Sequence, residues 1–201
     1  MRHALLALAL ALVAGVAGAA PAYPTGDLSL GKPKAKIHVE EYASLSCSHC
    51  AHFNNEVFPA FKAKYIDTGK VRYTLHEFLT EPANVAAIGF ITARCAGADK
   101  YFAVVDGLFR RQAEIFETRD LRPVLLEVAK SAGLSEAQVT ACVSNPANGE
   151  ALDARVAAGE ARGVDSTPFF FVNGVTVDGV TLADLDKAIA AAGKAKPAKK
   201  K

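Results

Sequence analysis

Apolar positions change their spacing several times along the chain, and each change marks an element. Over Lys36-Ile37-His38-Val39-Glu40-Glu41-Tyr42-Ala43 they alternate, which predicts a strand with Ile37, Val39, Glu41 and Ala43 on one face. From Cys50 the spacing lengthens to four. Phe53, Val57 and Phe61 recur and Tyr65 continues the stripe, so a helix follows, which Pro59 should kink. Strand alternation returns from Val71 to Phe78. A long helical stretch then runs from about Pro82 to Gly163, with Ile88, Ile91 and Cys95 on one face, Tyr101, Val104, Val105 and Leu108 on a second, and Leu121, Val124, Leu125 and Val128 on a third. Gly97, Gly133 and Asn145-Pro146 separate its helices. After Gly163 come Phe169-Phe170-Phe171-Val172 and Val175-Thr176-Val177, joined by Asn173-Gly174. Asn-Gly between two apolar runs marks a hairpin, because both turn residues need positive φ. Leu182 to Ala192 closes the pattern as a helix.

The order is strand, helix, strand, a block of helices, then a hairpin and a helix. A strand-helix-strand unit and a later hairpin can share one mixed sheet, with the helical block as an insertion packed over one end. No internal repeat is visible, and low complexity is confined to the two ends.

Residues 1–22 have the three-part layout of a secretory signal peptide: Arg2 and His3, an apolar run from Ala4 to Val13, then small residues that offer cleavage after Ala19 or Ala22. That run is short for a membrane span. At the other end, residues 193–201 hold no apolar side chain larger than Ala and are expected to form a disordered basic tail. The tail distorts the charge. The whole chain is +2, but Arg2 and the five lysines after Gly193 supply six positive charges, so the body between them is −4. No basic stripe with interleaved aromatics runs through that body, which argues against a nucleic-acid partner. About 180 residues remain after the leader, enough for one domain carrying a large insertion.

Four cysteines in an exported chain are read first as redox or disulfide partners. Cys47-Ser48-His49-Cys50 lies where the first strand ends and the first helix begins. A cysteine at a helix start faces unpaired backbone N–H groups, which favour thiolate over thiol, and His49 can add a donor or a charge. A pair whose reduced form holds a stable thiolate is a poor reductant and a good oxidant. Cys47, just outside the helix, is then the sulfur a substrate attacks, and Cys50 is the resolving partner. Half of a zinc site and an inert staple are the competing readings. No second CxxC or spaced histidine pair supplies the remaining zinc ligands, with only His49 and His52 nearby.

Glu40-Glu41-Tyr42-Ala43-Ser44-Leu45-Ser46-Cys47-Ser48-His49-Cys50, together with Ser166-Thr167-Pro168-Phe169-Phe170-Phe171-Val172-Asn173-Gly174, resembles the DsbA-like branch of the thioredoxin superfamily. DsbA itself is the familiar instance of a low-pKa cysteine in an oxidising pair, so the oxidant expectation shares that precedent. The resemblance implies an α/β thioredoxin fold over residues 27–82 and 164–192, with an inserted all-helical domain over 83–163. It implies a monomeric periplasmic oxidase that puts disulfides into reduced exported proteins and is recycled by a DsbB-like, quinone-linked membrane partner, with no cofactor and no metal. Pro168 matches the family's cis-proline beside the active-site pair, and Thr167 would offer backbone groups to a substrate peptide. Glu41, six positions before Cys47, matches the family's buried acid, suited to exchanging a proton with Cys50.

Two positions depart from the family pattern. Ser48 stands where Pro is more familiar, and Thr167 where Val is. Thr also occurs there in disulfide isomerases, so an isomerase or reductase of the same fold is the alternative, with a metal-binding thiol protein behind it. Isomerases of that kind carry an N-terminal dimerisation segment, which residues 23–36 are too few to supply. Cys95 and Cys142 each lie on the apolar face of a helix in the inserted block, as in some DsbA-like proteins, and are expected to form a structural disulfide; two buried free thiols are the alternative.

Overall fold

The computed structural model describes residues 23–194, so the leader expected at 1–22 and residues 195–201 of the expected tail lie outside the described residues. One five-stranded sheet forms from β1 (Leu28–Gly31), β2 (Ile37–Ala43), β3 (Val71–Glu77), β4 (Phe169–Val172) and β5 (Val175–Thr176), in the order β1-β3-β2-β4-β5. The central pair, β2 and β3, is parallel and the other pairs are antiparallel. The β4–β5 turn places Asn173 at φ 49° and Gly174 at φ 80°, the conformation the Asn-Gly pair specifies. β1 has no counterpart in the pattern reading. Only Leu28 and Leu30 carry its signal, and its stability comes from pairing Leu28 with Leu75 and Leu30 with Tyr73.

One sheet face presents Val39, Glu41, Val71, Tyr73, Leu75 and Phe170 to the segment 48–66 and to α9 (Leu182–Lys194), with the tilted rings of Phe53 and Phe170 4.8 Å apart and those of Phe58 and Tyr73 4.9 Å apart. The alternation on β2 predicts the opposite face to be open, yet Glu40 and Tyr42 are buried too. The reason is α8 (Pro146–Ala161), which crosses that face so closely that a Cβ on Gly159 would sit 2.8 Å from the Tyr42 ring. Glu40 tolerates this because a hydrogen bond with His76 and the Arg162 guanidinium hold its carboxyl down to about 2, against the cost of burial.

The segment after Cys47 is not one helix kinked at Pro59. It alternates α1 (Ser48–His52), a π-helical stretch (Phe53–Val57), α2 (Phe58–Phe61) and a second π-helical stretch (Lys62–Ile66). Pro59 cannot donate to the carbonyl four residues back, and a widened turn carries the backbone past its ring. The stripe survives, with Phe53, Phe61 and Tyr65 buried and Val57 half-buried.

Between β3 and β4 lie α3 (Ala83–Cys95), α4 (Ala98–Arg110), α5 (Gln112–Thr118), α6 (Leu121–Ser131), α7 (Glu136–Val143) and α8. Gly97 at φ 86° and Gly133 at φ 91° supply the predicted breaks, while Asn145 caps α8 through Ala147 N–H. Two more breaks, at Arg111 and at Arg119 with φ 56°, carry no glycine or proline and were not legible. Cys95 and Cys142 are bridged, tying the end of α3 to α7. Buried charge is paired: Glu77 accepts from Arg94 Nε at 2.5 Å, Tyr101 Oη at 3.1 Å and Arg155 Nε, and Arg94 also donates to the carbonyls of Pro24 and Gly26. This cluster fastens the start of the described chain to β3 and the helical block. The last helix continues through Gly193 and Lys194, two residues into the stretch expected to be tail. Among the described residues no helix is long and apolar enough to cross a membrane.

Candidate active site

The chain leaves β2 in a turn that hydrogen bonds hold from several sides. Cys47 N–H donates to Ser44 O at 3.0 Å, and Ser46 Oγ donates to Thr80 O at 2.6 Å. From the helical block Gln112, itself buried, donates through Nε2 to Leu45 O at 2.8 Å and to Cys47 O at 3.1 Å. Cys47 emerges as the N-cap of α1, extended at φ −84° and ψ 120°, with its carbonyl receiving Ala51 N–H at 3.1 Å. Its side chain is half-buried, whereas Cys50, one turn into the helix, is fully buried.

These positions give the two thiols opposite acidities. Cys47 is brought down to about 5, first by the hydrogen bond from the Cys50 thiol and then, against partial burial, by the Thr167 hydroxyl and the backbone N–H groups of Cys50 and His49. Burial pushes the Cys50 thiol up, and its hydrogen bond to Cys47 and the nearby charges of Glu41 and Cys47 act in the same sense. The protonated Cys47 thiol donates to Thr167 O at 3.3 Å. Among the described residues Thr167 Oγ1 is buried without a hydrogen-bond partner in that state, and a Cys47 thiolate can accept from it.

Glu41 lies on the β2 face that meets the segment 48–66 and is 2% exposed. Burial pushes it up to about 8, opposed by a hydrogen bond from Tyr73 Oη at 2.5 Å and reinforced by the Cys47 charge. That shift favours the protonated carboxyl at neutral pH, and the charge of Glu41 is in turn felt by Cys50. The Thr167–Pro168 peptide is cis and sets the Thr167 carbonyl against the Cys47 sulfur just before β4.

Not every anticipated contact is present. The His49 imidazole is exposed and makes no hydrogen bond to Cys47 among the described residues; it acts through its backbone N–H. A side chain on the outer side of the first helical turn points away from the cap. Ser48 is likewise exposed, and its hydroxyl makes no hydrogen bond among the described residues. Cys95 and Cys142 sit apart from this pair, in the helical block. Among the described residues no three His, Cys, Asp or Glu side chains gather as a metal site would require.

A family model described as thioredoxin matches residues 24–191. The crystal structure of α-DsbA1 from Wolbachia pipientis superposes with a TM-score of 0.72 at 27% identity, over 83% of this chain and 92% of that one. The chain belongs to the thioredoxin family, in its DsbA-like branch. A protein of Rickettsia typhi provisionally named a protein-disulfide oxidoreductase is 31% identical over 165 residues, covering 81% of this chain and 60% of that protein. This DsbA-like chain spans about 60% of the length of such curated relatives. BdbD from Bacillus subtilis shares the fold, with a TM-score of 0.77 at 18% identity.

Within this DsbA-like frame, two residues of the site escaped the sequence reading. Gln112 was signalled: it is a polar residue inside the apolar stripe of Leu108, Phe109 and Ile115, which calls for a buried hydrogen-bond partner. Tyr73 looks like any strand aromatic in the sequence, and only the pairing of β2 with β3 places it beside Glu41.

Proposed function

We propose that the chain is a thiol-disulfide oxidoreductase that introduces disulfides into exported proteins through the Cys47/Cys50 couple. The observation that carries this reading is the split between the two sulfurs: one half-buried and stable as thiolate, the other enclosed and held as thiol. Starting from the Cys47–Cys50 disulfide, a substrate thiolate attacks Cys47 Sγ and the disulfide breaks, with the electron pair leaving on Cys50. Cys50 takes up a proton, for which Glu41 is the buried donor. A second substrate thiolate then attacks the substrate sulfur of the mixed disulfide, and Cys47 departs as a thiolate, a good leaving group. Two electrons pass from substrate to the pair, and a DsbB-like, quinone-linked membrane partner takes them off to restore the disulfide. Thr167 and Pro168 border the attacked sulfur, where the Thr167 backbone can receive an extended peptide.

The leader pattern of residues 1–22 supports a periplasmic setting, in which such a disulfide persists and substrates arrive reduced. A second reading, a disulfide isomerase or reductase, rests on the Thr before Pro168, which isomerases of the superfamily also carry; the Thr167 hydroxyl itself, by stabilising the Cys47 thiolate, favours the oxidase. Equilibration with glutathione sets the reductase apart, since a potential near that of thioredoxin marks a reductase and one well above it an oxidase or isomerase; reactivation of a scrambled disulfide protein by the reduced chain then marks the isomerase. Oxidation of a reduced model protein tests the pair itself. Cys47→Ser abolishes it; activity surviving that substitution refutes the mechanism.

A further inference from the structure

The buried acid has one hydrogen-bonding side chain, and it is not a charged one. Tyr73 donates to Glu41 Oε2 at 2.5 Å, and no arginine, lysine or histidine is paired with Glu41 among the described residues. The two residues come from neighbouring parallel strands, with Tyr73 aligned to Val39, two positions before Glu41. The phenol is held in place by its own packing, with the rings of Phe58, Phe61 and Phe102 4.9, 6.2 and 6.2 Å away and the residue 2% exposed. A donor fixed this way meets one carboxylate oxygen and cannot follow the other. It also stays a donor, because burial and the neighbouring Glu41 charge push the phenol well above its ordinary value.

We propose that Tyr73 is the positioning residue for proton exchange between Glu41 and Cys50, fixing the carboxyl below the cysteine pair and setting the pH above which Cys50 can no longer be supplied with a proton. The proposal rests on the Cys47/Cys50 reading above. When a substrate thiolate opens the Cys47–Cys50 bond, Cys50 leaves with the electron pair and must be protonated, because its thiolate is buried and costly. The proton comes from neutral Glu41, whose carboxylate is then held by the Tyr73 O–H until a proton returns from solvent. A hydrogen bond to the charged form favours that form, so Tyr73 eases release of the proton and limits how far into the alkaline range Glu41 retains it.

The test is the rate at which a reduced dithiol peptide reduces the oxidised full chain, normalised to the peptide's thiolate concentration and followed across pH. In the wild type this rate falls on an alkaline limb as Glu41 loses its proton. Tyr73→Phe keeps the ring and removes only the donor, and the limb moves up by about one to two pH units, the range expected for one hydrogen bond to a charged group. Glu41→Gln abolishes the limb. Placing 3-fluorotyrosine at position 73, a stronger donor of nearly the same size, moves the limb down and serves if Tyr73→Phe does not fold. The protonated-carboxyl band in the infrared spectrum, identified by its loss in Glu41→Gln, persists to higher pH in Tyr73→Phe. A limb unmoved in both Tyr73 variants overturns the proposal, as does a limb that survives Glu41→Gln. Peptide oxidation that survives Cys47→Ser is the separate result that overturns the underlying reading.

Discussion

Replacing Glu41 with Gln should stabilise the protein, by an amount that grows with pH. An unfolded glutamate ionises near 4.5, whereas the folded carboxyl, buried and hydrogen-bonded by Tyr73, is pushed up to about 8. The folded chain therefore binds this proton more tightly than the unfolded chain does. Below the unfolded value both states are protonated and Glu41 costs nothing. As pH rises through the window between the two values, the unfolded state gains the freedom to ionise, and stability is lost until the folded group ionises as well. pH 7 lies about 2.5 units above the unfolded value and still below the folded one, so the loss there is roughly 3 kcal/mol at 1.36 kcal/mol per unit. The charge of the Cys47 thiolate contributes part of the upward push, so in the oxidised protein the figure is smaller. Glutamine keeps an acceptor for Tyr73 and carries no charge, so the difference between the two proteins isolates the ionisation. Guanidinium unfolding of oxidised wild type and Glu41→Gln, repeated from acid to mildly alkaline pH, measures it. The expected curves coincide near pH 4 and separate steadily, with the variant the more stable. A stability difference that does not change with pH would refute the buried-acid account.

Two further substitutions probe what holds the site. The Cys95–Cys142 bridge spans a separation of 47 residues, and its removal by paired alanine substitution should cost about 4 kcal/mol in the chain-entropy model, read as a lower unfolding midpoint. Peptide oxidation per folded molecule should be unchanged, since this bridge lies apart from Cys47 and Cys50; a proportionate loss of activity would contradict that separation. Gln112→Ala leaves the carbonyls of Leu45 and Cys47 without their buried donor and should cost roughly 1–3 kcal/mol. Gln112→Glu places a negative group against the same turn and should raise the Cys47 ionisation midpoint, measured by thiolate absorbance; an unmoved midpoint would show that Gln112 does not govern the turn.

The parts of the fold that local pattern could reach were those with a strong period or a specific turn. The strands around Val39 and Tyr73, the Asn173-Gly174 hairpin and the breaks at Gly97 and Gly133 all follow from residues that permit few alternatives. Cys47 as a helix cap was legible because a strand ended and a helical stripe began on either side of it. What escaped depends on distant parts of the chain. β1 is too short to carry its own signal and exists through its pairing with β3. Glu40 reads as a solvent-facing residue until α8 brings Arg162 across the sheet. The π-helical stretches beside Pro59 follow from backbone accommodation that no side-chain period records. Tyr73 and Glu41 meet only because two strands far apart in sequence lie side by side, in parallel. His49 reaches the Cys47 sulfur through its backbone N–H, while its exposed side chain takes no part, a split that its place between the cysteines does not reveal.

The most direct measurement is the ultraviolet absorbance of the Cys47 thiolate in the reduced protein, titrated against the oxidised protein as blank. The account predicts one ionisation with a midpoint near 5, with Cys50 contributing none in the same range because burial holds it as a thiol. An ordinary alkaline midpoint for Cys47 would contradict it, since opening the disulfide would then gain nothing from the helix cap, the Cys50 thiol or Thr167.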